Sequence, residues 1–200
     1  MKLSFFVRDL VLKHTFTIAH QSRDVQDTII VKLEDGDFYG LGETTTNPFY
    51  GMTAENICSK LEESRSMVEN GNWSSPEELW EMGKDVFKDN PFAQCALDLA
   101  AWDFFTKKKG KKLYEYLGLD PQNIPLTNFT IGIDSLEKMV AKMKEVDWPL
   151  YKIKLGTGND LEIIRELRKH TTSKFRIDAN CAWTAQQAIA YSEELARLGV

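Results

Sequence analysis

Two short stretches gather side chains that carry protons and charge. Tyr151-Lys-Ile-Lys-Leu-Gly156 alternates two cations with two aliphatics. Side chains alternate faces along a strand, so Lys152 and Lys154 share one face while Ile153 and Leu155 share the other. Phe175-Arg-Ile-Asp-Ala-Asn180 repeats the design, with Arg176, Asp178 and Asn180 opposite Phe175, Ile177 and Ala179. Between the two, residues 160–169 place aliphatics at 161, 163, 164 and 167, which is helical spacing. Strand, helix and strand in that order make a βαβ unit with parallel neighbouring strands. The polar faces then bring two amines and a carboxylate together, a set that an apolar interior does not select. Taken alone, a Lys-x-Lys also reads as a solvated strand face, and Asp178 as a turn residue.

The elements that must hold this constellation come from a chain of 200 residues, 42% hydrophobic and 11% aromatic, enough for a sizeable core. A net charge of −5 argues against a nucleic-acid surface. Cys58, Cys95 and Cys181 show no metal-ligand spacing and read as reduced thiols of a cytoplasmic protein. The apolar run at the N-terminus is broken by Arg8 and Asp9, too early for a signal peptide, and no stretch has membrane-span length.

Along the chain, residues 2–12 and 28–34 read as strands, and Asp35-Gly36-Asp37 as a hairpin turn into a third strand, 38–42. Between the first two strands, His14 to Asp27 reads as a polar connection, either solvated or functional. Glu43 reads as a structural acid or a pocket group. Helices follow. One is capped by Thr53 and runs through Asn70. A second opens with the capping-box pattern Ser75-Pro-Glu-Glu78, and a third opens at Asn90-Pro91 with a small-residue face of Ala93, Ala96, Ala100 and Ala101. The lysines at 107–112 fit a helix C-terminus closed by Gly110 better than a nucleic-acid patch. After Pro121 and Pro125 the pattern becomes strand–helix alternation. It has a strand at 128–133, a helix from Ser135 to Val146, the two strands above, and a final helix capped by Thr184 and Gln187. The predicted fold is an α+β domain over 1–122, then the opening strands and helices of a β/α barrel or parallel sheet over 123–200. A three-stranded parallel sheet with a fresh strand starting at Val200 leaves edges exposed, so the sequence is expected to be a piece of a longer chain.

A meander, a helical cap, Lys-x-Lys on one barrel strand and Asp-x-Asn on the next together resemble the enolase superfamily, within it the muconate-lactonizing subgroup. Phe16-Thr-Ile-Ala19 and Leu126-Thr-Asn-Phe-Thr-Ile131 are most similar to dipeptide epimerases of the L-Ala-D/L-Glu type. The resemblance implies a capping domain followed by the first half of a modified TIM barrel. It also implies a Mg²⁺-dependent isomerase that removes the α proton of a dipeptide through an ene-diolate, with peptidoglycan peptides as the source of substrate. Asp178 matches the first metal ligand, a hard oxygen donor. Lys154 matches the acid/base residue, which must be neutral to take the proton, a state that a neighbouring ammonium favours. Lys152 matches that neighbour and the group that steadies the enolate oxygens. Thr130 matches a substrate-orienting position, and Asn180 supports the metal end. His20 and Arg23 lie in the segment expected to close over the substrate and meet a side-chain carboxylate.

By the same resemblance, the second base and two further metal ligands come from later strands, so the 200 residues hold half a site and are expected to be inactive and poorly folded alone. The expected partner is a small dipeptide, with no nucleic acid and no membrane. Self-association into a homo-oligomer stays open. Two other readings remain: another enzyme of the subgroup, an o-succinylbenzoate synthase or cycloisomerase, and a non-catalytic binding module.

Overall fold

The structure is a computed structural model that describes residues 1–200. The chain divides into two compact units. One comprises Met1–Val11 with Val25–Asn123, and the other Leu12–Asp24 with Ile124–Val200. No helix is long and apolar enough to cross a membrane.

The first unit is built on the sheet β1 (Lys2–Ile18), β2 (Gln21–Asp35), β3 (Phe38–Thr45), in that order. Gly36, at φ +59°, makes the turn from β2 to β3, and the pair is antiparallel from Asp35 opposite Phe38 to Thr28 opposite Thr45. The cap helices are α1 (Ala54–Asn70), α2 (Pro76–Phe87) and α3 (Pro91–Lys108), followed by the short α4 (Leu113–Tyr116). Thr53, Ser75 and Asn90 each cap a helix by accepting from the backbone N–H three residues on. The expected reciprocal box at Ser75 is corrected: the Glu78 carboxylate accepts instead from the N–H and hydroxyl of Ser74.

The small face of α3 lies on β3, and glycine makes the approach possible. A Cβ on Gly40 would stand 2.2 Å from the Ala100 carbonyl oxygen, and one on Gly42 2.0 Å from that of Ala96. The core beneath this seam includes Ile29, Val31, Leu33, Ile57, Leu61, Ala96 and Ala100, all fully buried. Leu3, on the outer strand, is tied to α1 by side chains: its N–H donates to Glu69 Oε1 and its carbonyl accepts from Arg65.

The polar connection expected at 14–27 is the main correction. β1 and β2 run on through it as the arms of a long hairpin that turns at Ala19–His20. A two-stranded ribbon satisfies its backbone through the ladder whatever its side chains. Although Leu12, Phe16 and Ile18 share one face of the outgoing arm, the returning arm at 21–24 carries no hydrophobic alternation. Cross-strand polar pairs mark it instead, with Thr15 Oγ1 donating to Asp24 at 2.5 Å and Thr17 bonded to Ser22 at 2.9 Å. The third strand also runs further than 38–42, and the strand expected at 128–133 shortens to its centre.

The second unit holds the parallel sheet β4 (Phe129–Ile131), β5 (Leu150–Lys154), β6 (Lys174–Asp178). The helices α5 (Leu136–Glu145), α6 (Asp160–Arg168) and α7 (Ala185–Arg197) alternate with the strands. Thr184 and Gln187 form the expected capping box. Ile131, Ile153, Leu155, Ile164 and Leu167 are fully buried, which orients the apolar face of β5 inward and leaves the lysine face opposite. The tip of the long hairpin belongs to this unit, where Ile133 N–H donates to the Thr17 carbonyl at 3.0 Å.

Candidate active site at the ends of the parallel strands

Register decides which side chains meet. In β5 and β6, Lys152 pairs with Arg176 and Lys154 with Asp178, while β4 sets Thr130 beside Lys152. Paired residues of parallel neighbours lie on one face, so Thr130, Lys152, Arg176, Lys154 and Asp178 share it. Asp178 stands at the end of β6 and collects both ammoniums on one oxygen: Oδ2 is 2.8 Å from Lys154 Nζ and 2.9 Å from Lys152 Nζ. Its other oxygen accepts the N–H of Asn180 at 2.9 Å. The bonds from Lys154 and then Lys152 hold the Asp178 carboxyl well below the usual carboxylate range, against the opposing effect of its partial burial. Lys154 is 8% exposed, and its Nζ also donates to the Asn180 side-chain oxygen at 3.0 Å.

The loop after β6 is held in an uncommon conformation. Asn180 and Cys181 are both non-glycine residues in the left-handed region, at φ +48° and +64°. Each costs about 1–2 kcal/mol, so surrounding contacts must impose the shape. One is His20 at the hairpin turn, whose Nε2 lies 2.9 Å from the Asn180 carbonyl oxygen. Another is Gly156, at φ +115°, where a Cβ would stand 2.6 Å from Ala19 Cβ and 2.8 Å from Ala182 Cβ.

Of the residues predicted for the site, Lys152, Lys154, Asp178 and Asn180 are brought together, and Thr130 is in register beside them. The His20 side chain reaches the same loop at the Asn180 backbone carbonyl. Arg23 lies half-buried on β2, three residues beyond the turn. Glu43, on β3, accepts from the Thr28 hydroxyl at 2.6 Å, an acid in a structural bond. Sequence reasoning placed Arg176 on the polar face without a role; its guanidinium donates to Asn128 Oδ1 at 3.2 Å. The tie made by Asp160 to both strand-end loops was not foreseen from the sequence, since its donors lie on both sides of it in the chain.

The donor chemistry suits a hard divalent cation in part. Asp178 offers a carboxylate and Asn180 an amide oxygen, but no group of three acidic, imidazole or thiol side chains is gathered that could hold a metal. These residues fit as one corner of an oxygen-donor set, and not as a closed cage.

Residues 2–118 match the N-terminal domain of the mandelate racemase / muconate lactonizing enzyme family. The chain is 48% identical over 200 residues to an L-Ala-D/L-amino acid epimerase of Flavobacterium johnsoniae and 50% identical to one of a Maribacter species. It is covered fully in both matches and spans 60% and 59% of those relatives' lengths. Among solved structures, a dipeptide epimerase of Enterococcus faecalis complexed with Mg and the dipeptide L-Leu-L-Tyr superposes with a TM-score of 0.88 at 28% identity. That match covers 100% of this chain and 58% of that one. The antiparallel sheet with its helical cap, followed by parallel strands with helices, is the architecture expected of an enolase-type fold. The chain belongs to the mandelate racemase / muconate lactonizing enzyme family.

Proposed function

We propose that this chain supplies the capping domain and the opening of the barrel of an isomerase that epimerises dipeptides. The reaction inverts the α carbon of the C-terminal residue, interconverting L-Ala-L-Glu-like and L-Ala-D-Glu-like dipeptides of the kind found in peptidoglycan. We place the capping domain at 1–122 and the start of the barrel at 123–200. The observation that carries the reading is the convergence of Lys152 and Lys154 on one oxygen of Asp178. The identity to curated epimerases supports the substrate class.

Lys154 acts as the acid/base residue on one face of the substrate, taking the α proton on Nζ or returning it. Asp178 and Asn180 grip that amine from one side and fix its direction. Lys152 presents positive charge to the substrate carboxylate, whose oxygens gain charge as the proton leaves. When bound, Mg²⁺ supplies further positive charge at those oxygens. Asp178 would hold it, with Asn180 in support. Thr130 orients the substrate. His20 and Arg23, near the hairpin tip, meet a side-chain carboxylate. The opposite-face base belongs to a later strand of the complete polypeptide, and the three free cysteines fit a cytoplasmic setting.

The test is to incubate the complete gene product with L-Ala-L-Glu and Mg²⁺ in D₂O. Deuterium at the glutamate α carbon together with formation of L-Ala-D-Glu supports the reading. Absence of exchange with this and other dipeptides, or dehydration of a succinylbenzoate precursor, overturns it.

A further inference from the structure

Asp160 opens α6 and is 3% exposed, yet every donor its carboxylate accepts from is neutral. Oδ1 accepts from the Gly156 N–H at 3.0 Å, the Thr157 N–H at 2.8 Å and the Thr157 hydroxyl at 2.8 Å. Oδ2 accepts from the Gly156 N–H at 3.1 Å and from the indole N–H of Trp183 at 2.5 Å. A buried carboxylate has to be satisfied in this way, since leaving it short of donors costs the desolvation of a charge. What is specific is where the donors come from. Gly156 and Thr157 lie two and three residues after Lys154, and Trp183 closes the loop that begins at Asp178.

We propose that Asp160 is a positioning residue. By joining the loop after β5 to the loop after β6, it holds Asp178 and Asn180 at bonding distance from Lys154. The left-handed pair Asn180–Cys181 makes such a clasp necessary, because that backbone relaxes unless its far end is fixed. Trp183 is the far end: its ring packs edge-on against Tyr191 of α7 with centroids 5.2 Å apart, and its N–H reaches Asp160. No hydrogen bond joins the Asp160 carboxylate to either lysine. Its role rests on the functional reading above only in so far as the three clasped residues carry the reaction.

Trp183→Phe deletes the indole N–H and keeps the aromatic packing. Asp160→Asn keeps the shape and turns an amide N–H₂ toward either the indole or the loop amides. The measurements, on the complete gene product, are Mn²⁺ affinity of the metal-free protein by electron paramagnetic resonance, hydrogen exchange across 178–184, and kcat and KM for L-Ala-L-Glu. Each single variant is expected to bind Mn²⁺ about tenfold more weakly and to exchange faster in that loop. The kcat should fall by a similar factor while KM stays within about twofold, and the double variant should be no worse than about twofold beyond either single one. Unchanged Mn²⁺ affinity and loop exchange in folded Trp183→Phe overturns the proposal, as does a double variant whose losses multiply. Should Asp160→Asn fail to fold, Trp183→Phe decides alone. If Mn²⁺ binding and exchange respond as expected but no dipeptide is epimerised, the functional reading fails and the clasp stands. If the dipeptide turns over and the variants match the parent, the clasp alone fails.

Discussion

Lys154 and Asp178 face each other across the paired strands β5 and β6, with Nζ 2.8 Å from Oδ2, although 24 residues separate them in sequence. The parallel register puts the strands' last residues side by side, so the pair is a product of βαβ geometry. Lys152, two residues earlier on the same face, reaches the same oxygen.

Removing the amine should remove the proton transfer. Lys154→Ala in the complete gene product is expected to lower α-proton exchange by about a hundredfold to ten-thousandfold, the range for a positioned general base. Nuclear magnetic resonance of glutamate deuteration in D₂O measures it. Exchange at the parent rate removes Lys154 from the reaction.

The Asp178 carboxyl is held below its ordinary range in the fold, so its contribution to stability has a fixed sign. A depressed folded value means stabilisation that is fully present above the unfolded value of about 3.9 and is lost as pH falls below it toward the folded one. Asp178→Asn should therefore be less stable than the parent at neutral pH, with the gap narrowing on acidification. Urea melts at a series of pH values would show the convergence, and a gap that widens toward low pH contradicts the assignment.

Gly156→Ala forces a Cβ between Ala19 and Ala182 at a left-handed backbone position. The expected cost is about 1–3 kcal/mol, from the backbone strain and the contacts together. The variant should also release the hairpin tip, read as faster hydrogen exchange at Thr17 to Ser22. A melt identical to the parent's would mean that the tip is not seated against the loop after β5.

Gly42→Ala tests the other unit in the same way. The new methyl meets the backbone of α3 at Ala96 and Ala100, which cannot rotate aside, so the helix must lift from β3. A loss of about 1–3 kcal/mol in denaturant unfolding is expected. Gly36→Ala makes an instructive control, since it has nothing within contact distance and suffers only from its positive φ.

Local signals account for what was legible. Thr53, Ser75, Asn90, Ser135 and Thr184 marked helix starts because a side-chain oxygen three residues ahead of an N–H is a short-range device. Ile153 and Leu155 marked the buried face of β5 by alternation, and the opposite face then held Lys152, Lys154 and, one strand over, Asp178. The alternation of Leu12, Phe16 and Ile18 on the outgoing arm was the available signal for the long hairpin. The extension of β1 and β2 into it was not recognised, because Thr15, Thr17, Ser22 and Asp24 pair with each other and the returning arm has no apolar alternation. Nor was the Asp160 clasp, whose donors lie on both sides of it in the chain and meet only once the strands are in place. The strained backbone at Asn180 and Cys181 gave no warning either, since neither is a glycine.

The contact between His20 and the Asn180 carbonyl closes a span of 160 residues. On the ribosome the N-terminus emerges first, so the hairpin tip must wait until β6 has been made before this bond can form. During that interval the ribbon has only earlier-made segments to dock against, such as Ile133, whose N–H meets the Thr17 carbonyl, and long-range closure of this kind is the slow part of folding. Its outward polarity then takes on a second meaning. The face of the tip that carries Thr15, Ser22 and Asp24 is exposed and can stand in water, while Phe16 and Ile18 on the other face are half-buried. That polar face gives a waiting ribbon one side that does not recruit a neighbour.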